Sequence, residues 1–428
     1  MRHKLILTLI LATLLSLSAC SNLPGRQATI TPATATPTSL AAIPDQTPDS
    51  ADNDQTTRLL IWLPPDFDPN TDNEAGALLA AQLQAFSEQN PNIQVETRIK
   101  AIEGSAGLFQ SLTAASASAP LVLPDLILLP TNDFRHAADK DLILPLDELM
   151  PNPFSEDWYA FAAGLGMYQN RVYGMPFAVE ALVMAYRPSV IDSPPKTWEE
   201  ALKNSGILSF PAANPEALFT TTLYLSENSS IYDDSGQIFL NQAGIETIFD
   251  FYRDGLVSDI LPFWLTQNED YESSWQVFQE RRASLCITWS GQYIKDETGL
   301  IAAAPLPTRT GEPFTITSSW TLALPVKDPE NYAYSLKLAQ LLTESSFIGK
   351  WTEQVGYFPP RADSLLVWQP GPDQGLASQI LPQAIAIPLQ QDLQTLGSVL
   401  TPATISLLKA EKNPQQLSKE IVELLANY

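Results

Sequence analysis

The first folded segment of this chain alternates between strand and helix patterns, and this alternation constrains the fold more than any other feature. A nearly continuous apolar run opens it, as expected for a parallel strand that is buried on both faces. Two further strand patterns follow, separated by stretches with apolar residues at helical spacing. In chain order, strands are predicted at 58–63, 93–99 and 125–129 and helices at 74–89 and 107–117. This order predicts an α/β fold with a largely parallel sheet.

The middle of the chain mixes the two patterns, and the last hundred residues read as mostly helical. Thr197 followed three residues later by Glu200 forms a capping-box pattern, which predicts a helix start. Strands are predicted at 172–176 and 182–186, joined by a short connection, and at 283–288, 301–304 and 321–326; helices are predicted at 242–253, 271–281, 332–342 and 415–426.

Length and charge narrow the class of protein. The segment 58–428 is longer than the ~250–300 residues at which a single core usually splits, so two lobes are expected. Hydrophobic residues make up 45% of the chain and charged residues 17%, which is typical of a globular protein. The formal net charge of −24 disfavours binding to nucleic acid and to anionic lipid headgroups.

The N-terminus reads as an export signal followed by a tether. Residues 1–19 combine a basic start, a short apolar run and a small-residue end, which is the pattern of a signal peptide. Leu17-Ser18-Ala19-Cys20 resembles the lipobox of bacterial lipoproteins, which implies lipidation of Cys20 and attachment to the outer face of a membrane. Residues 20–57 are rich in Thr, Pro and Ala and are expected to be a flexible linker. The other cysteine, Cys286, lies in an apolar run and is expected to be a buried small side chain.

Several segments together resemble the extracellular solute-binding proteins of bacterial ABC importers, specifically the maltose-binding-like group. The strongest match is Tyr173–Leu182, followed by Pro194–Glu200. Weaker matches occur, in the family's order, at Ile61-Trp62, at Pro124–Ile127, at Phe278–Leu285, where Arg281-Arg282 replaces a common glycine, and at Gly356–Arg361.

The resemblance implies a two-lobe periplasmic-binding-protein-like fold (type II). Each lobe would be a mixed, mostly parallel sheet flanked by helices. One lobe would comprise 58–178 and 318–365, and the other 184–312 and 370–428. A solute would bind in the cleft between the lobes, which would close by hinge motion. The implied function is non-catalytic capture of a polar solute, such as a sugar or oligosaccharide, and its delivery to the permease of an ABC importer. No cofactor or metal is implied, and a monomer is expected.

Three candidate ligand-binding residues come from this resemblance. Glu180 stands where the family has a ligand-contacting glutamate, and a carboxylate within an apolar run needs a partner or a solvated cleft; a hinge ion pair is the alternative. Tyr293 falls where the family carries a stacking Trp, with core packing as the alternative. Asp66 matches a polar ligand contact, although Phe67 stands where the family has Lys.

Five further candidates depend on position. Trp289, Trp320 and Tyr357 are expected at strand or loop ends that face the cleft, and core packing explains each of them equally well or better. Asn132 and Asp133 follow the third strand, where open α/β sheets place ligands; helix N-capping is the alternative for both.

Departures from the family pattern leave the solute open. Leu129 occupies the position of one stacking Trp, and 387–392 lacks the late one, so a full maltodextrin site is not indicated. Two alternatives to transport remain. One is a lipid-anchored carbohydrate hydrolase with paired carboxylates, although the sequence has no nucleophile elbow, zincin motif, P-loop or dinucleotide fingerprint. The other is a ligand-sensing or structural lipoprotein on the same fold.

Overall fold

A mixed nine-stranded sheet with helices packed on it runs through the described part of the protein, and β-strands at 167–168 and 171–172 form a separate two-stranded sheet. The computed structural model describes residues 56–154, 157–203, 206–296, 298–327 and 329–426. The predicted export signal and Cys20 lie outside the described residues. The predicted linker ends one residue too late, because Thr57 already pairs with Ile93 in the first strand.

The elements follow the α/β pattern at the start and become mostly helical at the end. The strands are β1 (Thr57–Leu63), β2 (Ile93–Ile99), β3 (Leu126–Pro130), β4 (Met167–Tyr168), β5 (Arg171–Val172), β6 (Gly174–Tyr186), β7 (Leu208–Ser209), β8 (Leu285–Trp289), β9 (Ala302–Ala304), β10 (Ile316–Ala323) and β11 (Ile385–Ala386). The helices are α1 (Glu74–Gln89), α2 (Leu108–Ser118), α3 (Thr131–Asp139), α4 (Ala160–Gly166), α5 (Trp198–Lys203), α6 (Leu218–Ser226), α7 (Gln242–Val257), α8 (Tyr271–Gln279), α9 (Ser290–Ile294), α10 (Tyr332–Leu342), α11 (Ser345–Val355), α12 (Ala362–Leu365), α13 (Pro372–Ile380), α14 (Gln390–Leu408) and α15 (Pro414–Leu425). Short 3-10 helices cover Pro65–Phe67, Pro120–Val122, Phe263–Gln267, Pro329–Asn331 and Leu381–Gln383.

The main sheet has the strand order β2-β1-β3-β10-β6-β8-β7, with β11 paired to β10 and β9 paired to β6. The prediction of a mostly parallel sheet holds for β2, β1 and β3, which are connected by the helices α1 and α2. It fails in the middle, where β10 is antiparallel to both β3 and β6, and β6 is antiparallel to β8. These central strands are not joined by the βαβ crossovers that make strands parallel.

Two predicted strands around a connection are in fact one strand. β6 is continuous over 13 residues, because its middle is buried and pairs first with β10 and then with β8 and β9. The strand predicted at 321–326 begins earlier, at Ile316, and ends at Ala323. The predicted capping box is confirmed: the Glu200 N–H donates to Thr197 Oγ1 at 3.1 Å, and Glu200 Oε2 accepts from the Lys196 and Thr197 N–H groups.

Apolar side chains form two large cores. The N-terminal core draws its buried residues from 59–146, 172–178 and 320–357. The C-terminal core draws them from 161–165, 179–184, 191–316 and 358–425. Helix α4 therefore packs in the C-terminal core, although it lies inside the range 58–178 predicted for the other lobe. A small third cluster contains Cys286, which is fully buried as expected.

Three chain segments pass between the two cores side by side. In β6 the change from the N-terminal to the C-terminal core falls between Ala178 and Val179, and in a later segment it falls between Tyr357 and Phe358. Val179 and Phe358 exchange backbone hydrogen bonds of 2.9 and 2.8 Å. β10 crosses within 316–320 and pairs with β6 there. We call this place the junction; it positions the candidate site.

Within the part of the chain that the structure describes, no helix has the length and apolar character needed to cross a bilayer.

Candidate ligand site at the junction

Glu180 is the polar residue that β6 carries at the junction. It lies two residues beyond the last β6 residue of the N-terminal core, opposite Ser318 of β10. Its flanking residues, Val179 and Ala181, are fully buried, whereas Glu180 itself is partly accessible. The Gly291 N–H, at the start of α9, donates a hydrogen bond to its carboxylate.

The pKa of Glu180 is raised from 4.5 to about 7. Burial of the carboxylate is the main cause, since low-dielectric surroundings disfavour the charged form. Nearby Lys295 and the Gly291 N–H act in the opposite direction, and the negative charge of Asp66 raises the pKa further. Near neutral pH this carboxyl is therefore close to the midpoint of its titration.

Asp66 and Lys295 form an ion pair between segments that belong to different cores. Asp66 lies in the 3-10 helix directly after β1, between Leu63 and Phe67 of the N-terminal core. Lys295 directly follows α9, which packs against the C-terminal core. Its Nζ lies 2.8 Å from Asp66 Oδ2, and both side chains are 46% exposed. The pair brings the two sides of the junction together in a position that water can reach.

Aromatic side chains form one wall next to this ion pair. Phe67 is at their centre and makes edge-to-face contacts with Trp320 at 5.5 Å and Tyr357 at 5.4 Å. The Trp320 side chain hydrogen-bonds the Tyr357 hydroxyl, and Lys295 Nζ lies 5.0 Å from the centre of the Tyr357 ring. Trp320 and Tyr357 are 8% and 5% exposed. Both rings therefore contribute to the N-terminal core while they lie at the edge of the site.

Four of the eight candidates are thus brought together: Asp66, Glu180, Trp320 and Tyr357. Lys295 completes the group and was missed by sequence reasoning. One signal was available in the sequence, because Lys295 lies two residues beyond the candidate Tyr293. A lysine two residues beyond a candidate aromatic residue does not by itself distinguish a site from a solvated surface.

The structure places Tyr293 elsewhere. Residues two apart on a helix do not share a face, and Tyr293 lies between Gly291 and Lys295. Its hydroxyl donates to Asp373 Oδ1 at 2.6 Å, its ring packs in the C-terminal core, and burial together with Asp373 raises its pKa. Trp289, at the end of β8, packs against the ring of Tyr271 at 5.9 Å. The core-packing alternative describes both positions.

Asn132 and Asp133 lie in the first turn of α3 and are not its N-cap. Pro130 is the N-cap residue, without a side-chain cap, so the capping alternative is wrong for both. Burial raises the pKa of Asp133. Asn132 lines a small cavity of about 70 Å³ between α3 and the start of α14, together with Arg135 and Gln390. The cavity lies between a helix of the N-terminal core and a segment that leads into a helix of the C-terminal core. The Asp66–Lys295 ion pair likewise joins segments of the two cores.

Arg135 is a second residue that sequence reasoning missed. It lies in the N-terminal helix α3 and is 7% exposed. Its two terminal nitrogens donate to the carbonyls of Ile387 and Pro388 at 2.8 Å each, in the segment that leads into α14. Burial is the main cause of the lowering of its pKa to about 10. Leu129, where the family carries a stacking Trp, is fully buried in the N-terminal core.

A larger cavity lies apart from this group. Its volume is about 550 Å³, and it is lined by 194–196, 303–306, Gly311, Pro313 and the first turns of α13. These walls carry mostly proline and alanine side chains and come from the C-terminal side alone. We place the candidate site at the junction instead, because charged and aromatic groups from both sides converge there. Among the described residues, no group of three or more His, Cys, Asp or Glu side chains is placed to hold a metal ion.

Comparisons with known proteins show the family and the fold of the chain. Residues 69–345 match the family model described as bacterial extracellular solute-binding protein. The maltotriose-binding protein of Pyrococcus abyssi is 26% identical over 199 residues, which cover 43% of this chain and 42% of that protein. The maltodextrin-binding protein MdxE of Bacillus subtilis is 27% identical over 188 residues, which cover 38% and 44%. The chain therefore spans less than half the length of these curated relatives.

Among solved structures, the sugar-binding protein MalE of Xanthomonas citri superposes with a TM-score of 0.66 at 18% identity, covering 87% of this chain and 98% of that one. This similarity confirms the predicted α/β fold class, with its mixed sheet and flanking helices. Since the family model covers more than half of the sequence, the chain belongs to the bacterial extracellular solute-binding proteins.

Proposed function

We propose that this protein captures a polar solute, a sugar or an oligosaccharide, at the junction and delivers it to the permease subunits of an ABC importer. The proposal depends on one observation: Asp66 and Lys295 come from opposite sides of the junction and form an ion pair close to Glu180. Membership in a solute-binding family supports capture without chemical change, and the comparisons give no support to the hydrolase alternative.

The chemistry of the group suits a hydroxylated ligand. Carboxylates of Asp66 and Glu180 accept hydrogen bonds from hydroxyl groups, and the Lys295 ammonium donates to hydroxyl oxygens. Tyr357 and Trp320 add aromatic edges for apolar C–H surfaces, so the site combines apolar walls with a few placed polar groups. The names of the relatives, which bind maltotriose and maltodextrin, also support a carbohydrate. Leu129 in place of an aromatic residue argues for a sugar other than a long maltodextrin.

Capture would occur by closure of two lobes about the junction. The proposed lobes are 58–178 with 318–365, and 184–312 with 370–428. Their support is the division of the apolar side chains into two cores, with α4 as the exception. Side-by-side crossings that change core at Ala178 and Tyr357 form a narrow connection, as hinge motion requires.

Location follows from the N-terminus. We propose that the exported chain is lipidated at Cys20, so that a monomeric binding domain stays near its permease on the outer face of the membrane. A flexible linker of the length of 20–57 spans roughly 35 Å, which is enough to let the domain reach a neighbouring transporter. Two or more acyl chains on one residue give stable anchoring, where one gives only marginal binding.

A thermal-shift screen of the full chain against a panel of sugars, oligosaccharides and other polar metabolites tests the proposal. At least one polar solute should raise the unfolding midpoint, because a ligand that binds only the folded state stabilises it. The solute should be recovered unchanged after long incubation. Consumption of the solute would overturn the transport role, and indifference to every carbohydrate would overturn the assignment of a sugar.

A further inference from the structure

Lys295 occupies a place that suits a positive charge. Its ammonium touches the Asp66 carboxylate at 2.8 Å, lies 5.0 Å from the centre of the Tyr357 ring and is close enough to Glu180 to influence that carboxyl. The face of an aromatic ring attracts cations, and so do the two neighbouring carboxyl groups in their ionised form. Two carboxyl groups beside the face of an aromatic ring are a combination that suits an organic ammonium ion.

The negative net charge of the protein favours binding of cations at such a place. The whole chain carries a formal net charge of −24, and a protein of this sign concentrates small cations near its surface. A binding site lined by Asp66 and Glu180 alone would therefore attract cationic solutes. The lysine side chain fills that place with the protein's own cation.

We propose that Lys295 sets the charge preference of the site, because its ammonium excludes organic cations, such as amino sugars, from the place formed by Asp66, Glu180 and the Tyr357 ring. This inference rests on the proposed function for its biological meaning, since it explains how an acidic protein selects neutral sugars. The charge exclusion itself is a property of the residues and can be tested without knowing the solute.

The first test uses propylammonium chloride as the probe, because it has the size of the side chain that Lys295→Ala removes. The full chain is measured at tens of millimolar propylammonium chloride and at the same concentration of sodium chloride. Propylammonium should raise the unfolding midpoint of Lys295→Ala and leave that of the wild type unchanged. Propanol should have no such effect. Lys412→Ala is the matched control, because the Lys412–Glu420 pair is 2.6 Å long with side chains 45% and 47% exposed. Equal responses of the two variants would overturn the proposal.

The second test compares a glucosamine oligomer with its N-acetylated form, by calorimetric titration at low salt. Lys295→Ala should gain about fivefold or more in affinity for the cationic oligomer relative to the wild type, as expected for exchanging one nearby charge in a water-like environment. Adding Asp66→Asn should reverse the gain, and Lys295→Arg should retain the wild-type preference. No gain for the cationic oligomer in Lys295→Ala would contradict the inference. If the wild type binds no sugar at all, the assignment of a sugar as the solute fails, whereas the propylammonium result still decides the role of Lys295.

Discussion

Replacing Glu180 with glutamine should remove a pH dependence of stability that the wild-type protein carries. The pKa of Glu180 lies at about 7 in the folded chain, against 4.5 for an ordinary glutamate. Between these values the folded state keeps a proton that the unfolded state releases. The unfolding free energy of the wild type therefore falls as the pH rises through this window, and it levels off above about 7.

The size of the effect follows from the same two values. A pKa that moves from 4.5 to about 7 corresponds to at most ~3.5 kcal/mol of unfolding free energy, at about 1.4 kcal/mol per pKa unit. Partial access of water to the carboxyl reduces this figure, so a difference of about 1–3 kcal/mol is expected. The Glu180→Gln side chain has nearly the same shape but does not titrate. The unfolding free energy of the variant relative to that of the wild type should therefore rise by this amount between pH 4.5 and pH 8.

Urea unfolding followed by tryptophan fluorescence and circular dichroism, at half-unit pH steps, measures the difference between variant and wild type. Asp270→Asn provides a control of opposite sign. The Ser273 N–H donates to Asp270 Oδ1 at 2.7 Å, and hydrogen bonding with Ser273 lowers the pKa of this carboxyl. Its contribution to stability is therefore present at neutral pH and is lost as the pH falls through the acid range. A Glu180→Gln difference that stays constant from pH 4.5 to pH 8 would refute the account of a buried, proton-binding carboxyl at the junction.

Three further predictions concern the residues around the site and the tether. Arg135→Met should lower the unfolding free energy by about 2–4 kcal/mol in urea denaturation, because it leaves two backbone carbonyls without their donors, whereas Arg253→Met on an exposed helix face should cost under ~1 kcal/mol. Gly291→Ala should weaken solute binding in calorimetry while the fold persists, because the added Cβ would overlap the Glu180 carboxylate; unchanged affinity would contradict this placement. Cys20→Ser should move the protein from the membrane fraction to the soluble exported fraction, and retention in the membrane would contradict the lipid anchor.

Local patterns predicted much of the fold. Helices α1 and α10 begin and end at the predicted residues, because apolar residues at helical spacing mark their extent within the chain itself. In α1 the flanking Asn73 and Asn90 also cap the two ends. Prediction from local patterns failed where pairing with distant strands determines the secondary structure. The middle of β6 reads as a connection, yet it is a strand because β10 and β8 pair with it in turn, and no local signal encodes partners more than a hundred residues away.

The candidate site was partly predictable for the same reason. Asp66, Glu180 and Tyr357 belong to segments with recognisable family patterns, and the structure brings these side chains together. Lys295 joins them across 229 positions of sequence, and its role depends on the direction in which a five-residue helix presents its end. Tyr293, only two residues earlier, shows the converse, since the same helix turns its ring into the C-terminal core.

A calorimetric titration of the best solute from the screen into the wild type, Glu180→Ala and Asp66→Ala tests whether the solute binds at the junction. We expect one solute per chain and a loss of about tenfold or more in affinity for each variant, since each loses a hydrogen bond to a charged group. Both variants should unfold near the wild-type midpoint without solute. Wild-type affinity in both variants would contradict a binding site at the junction.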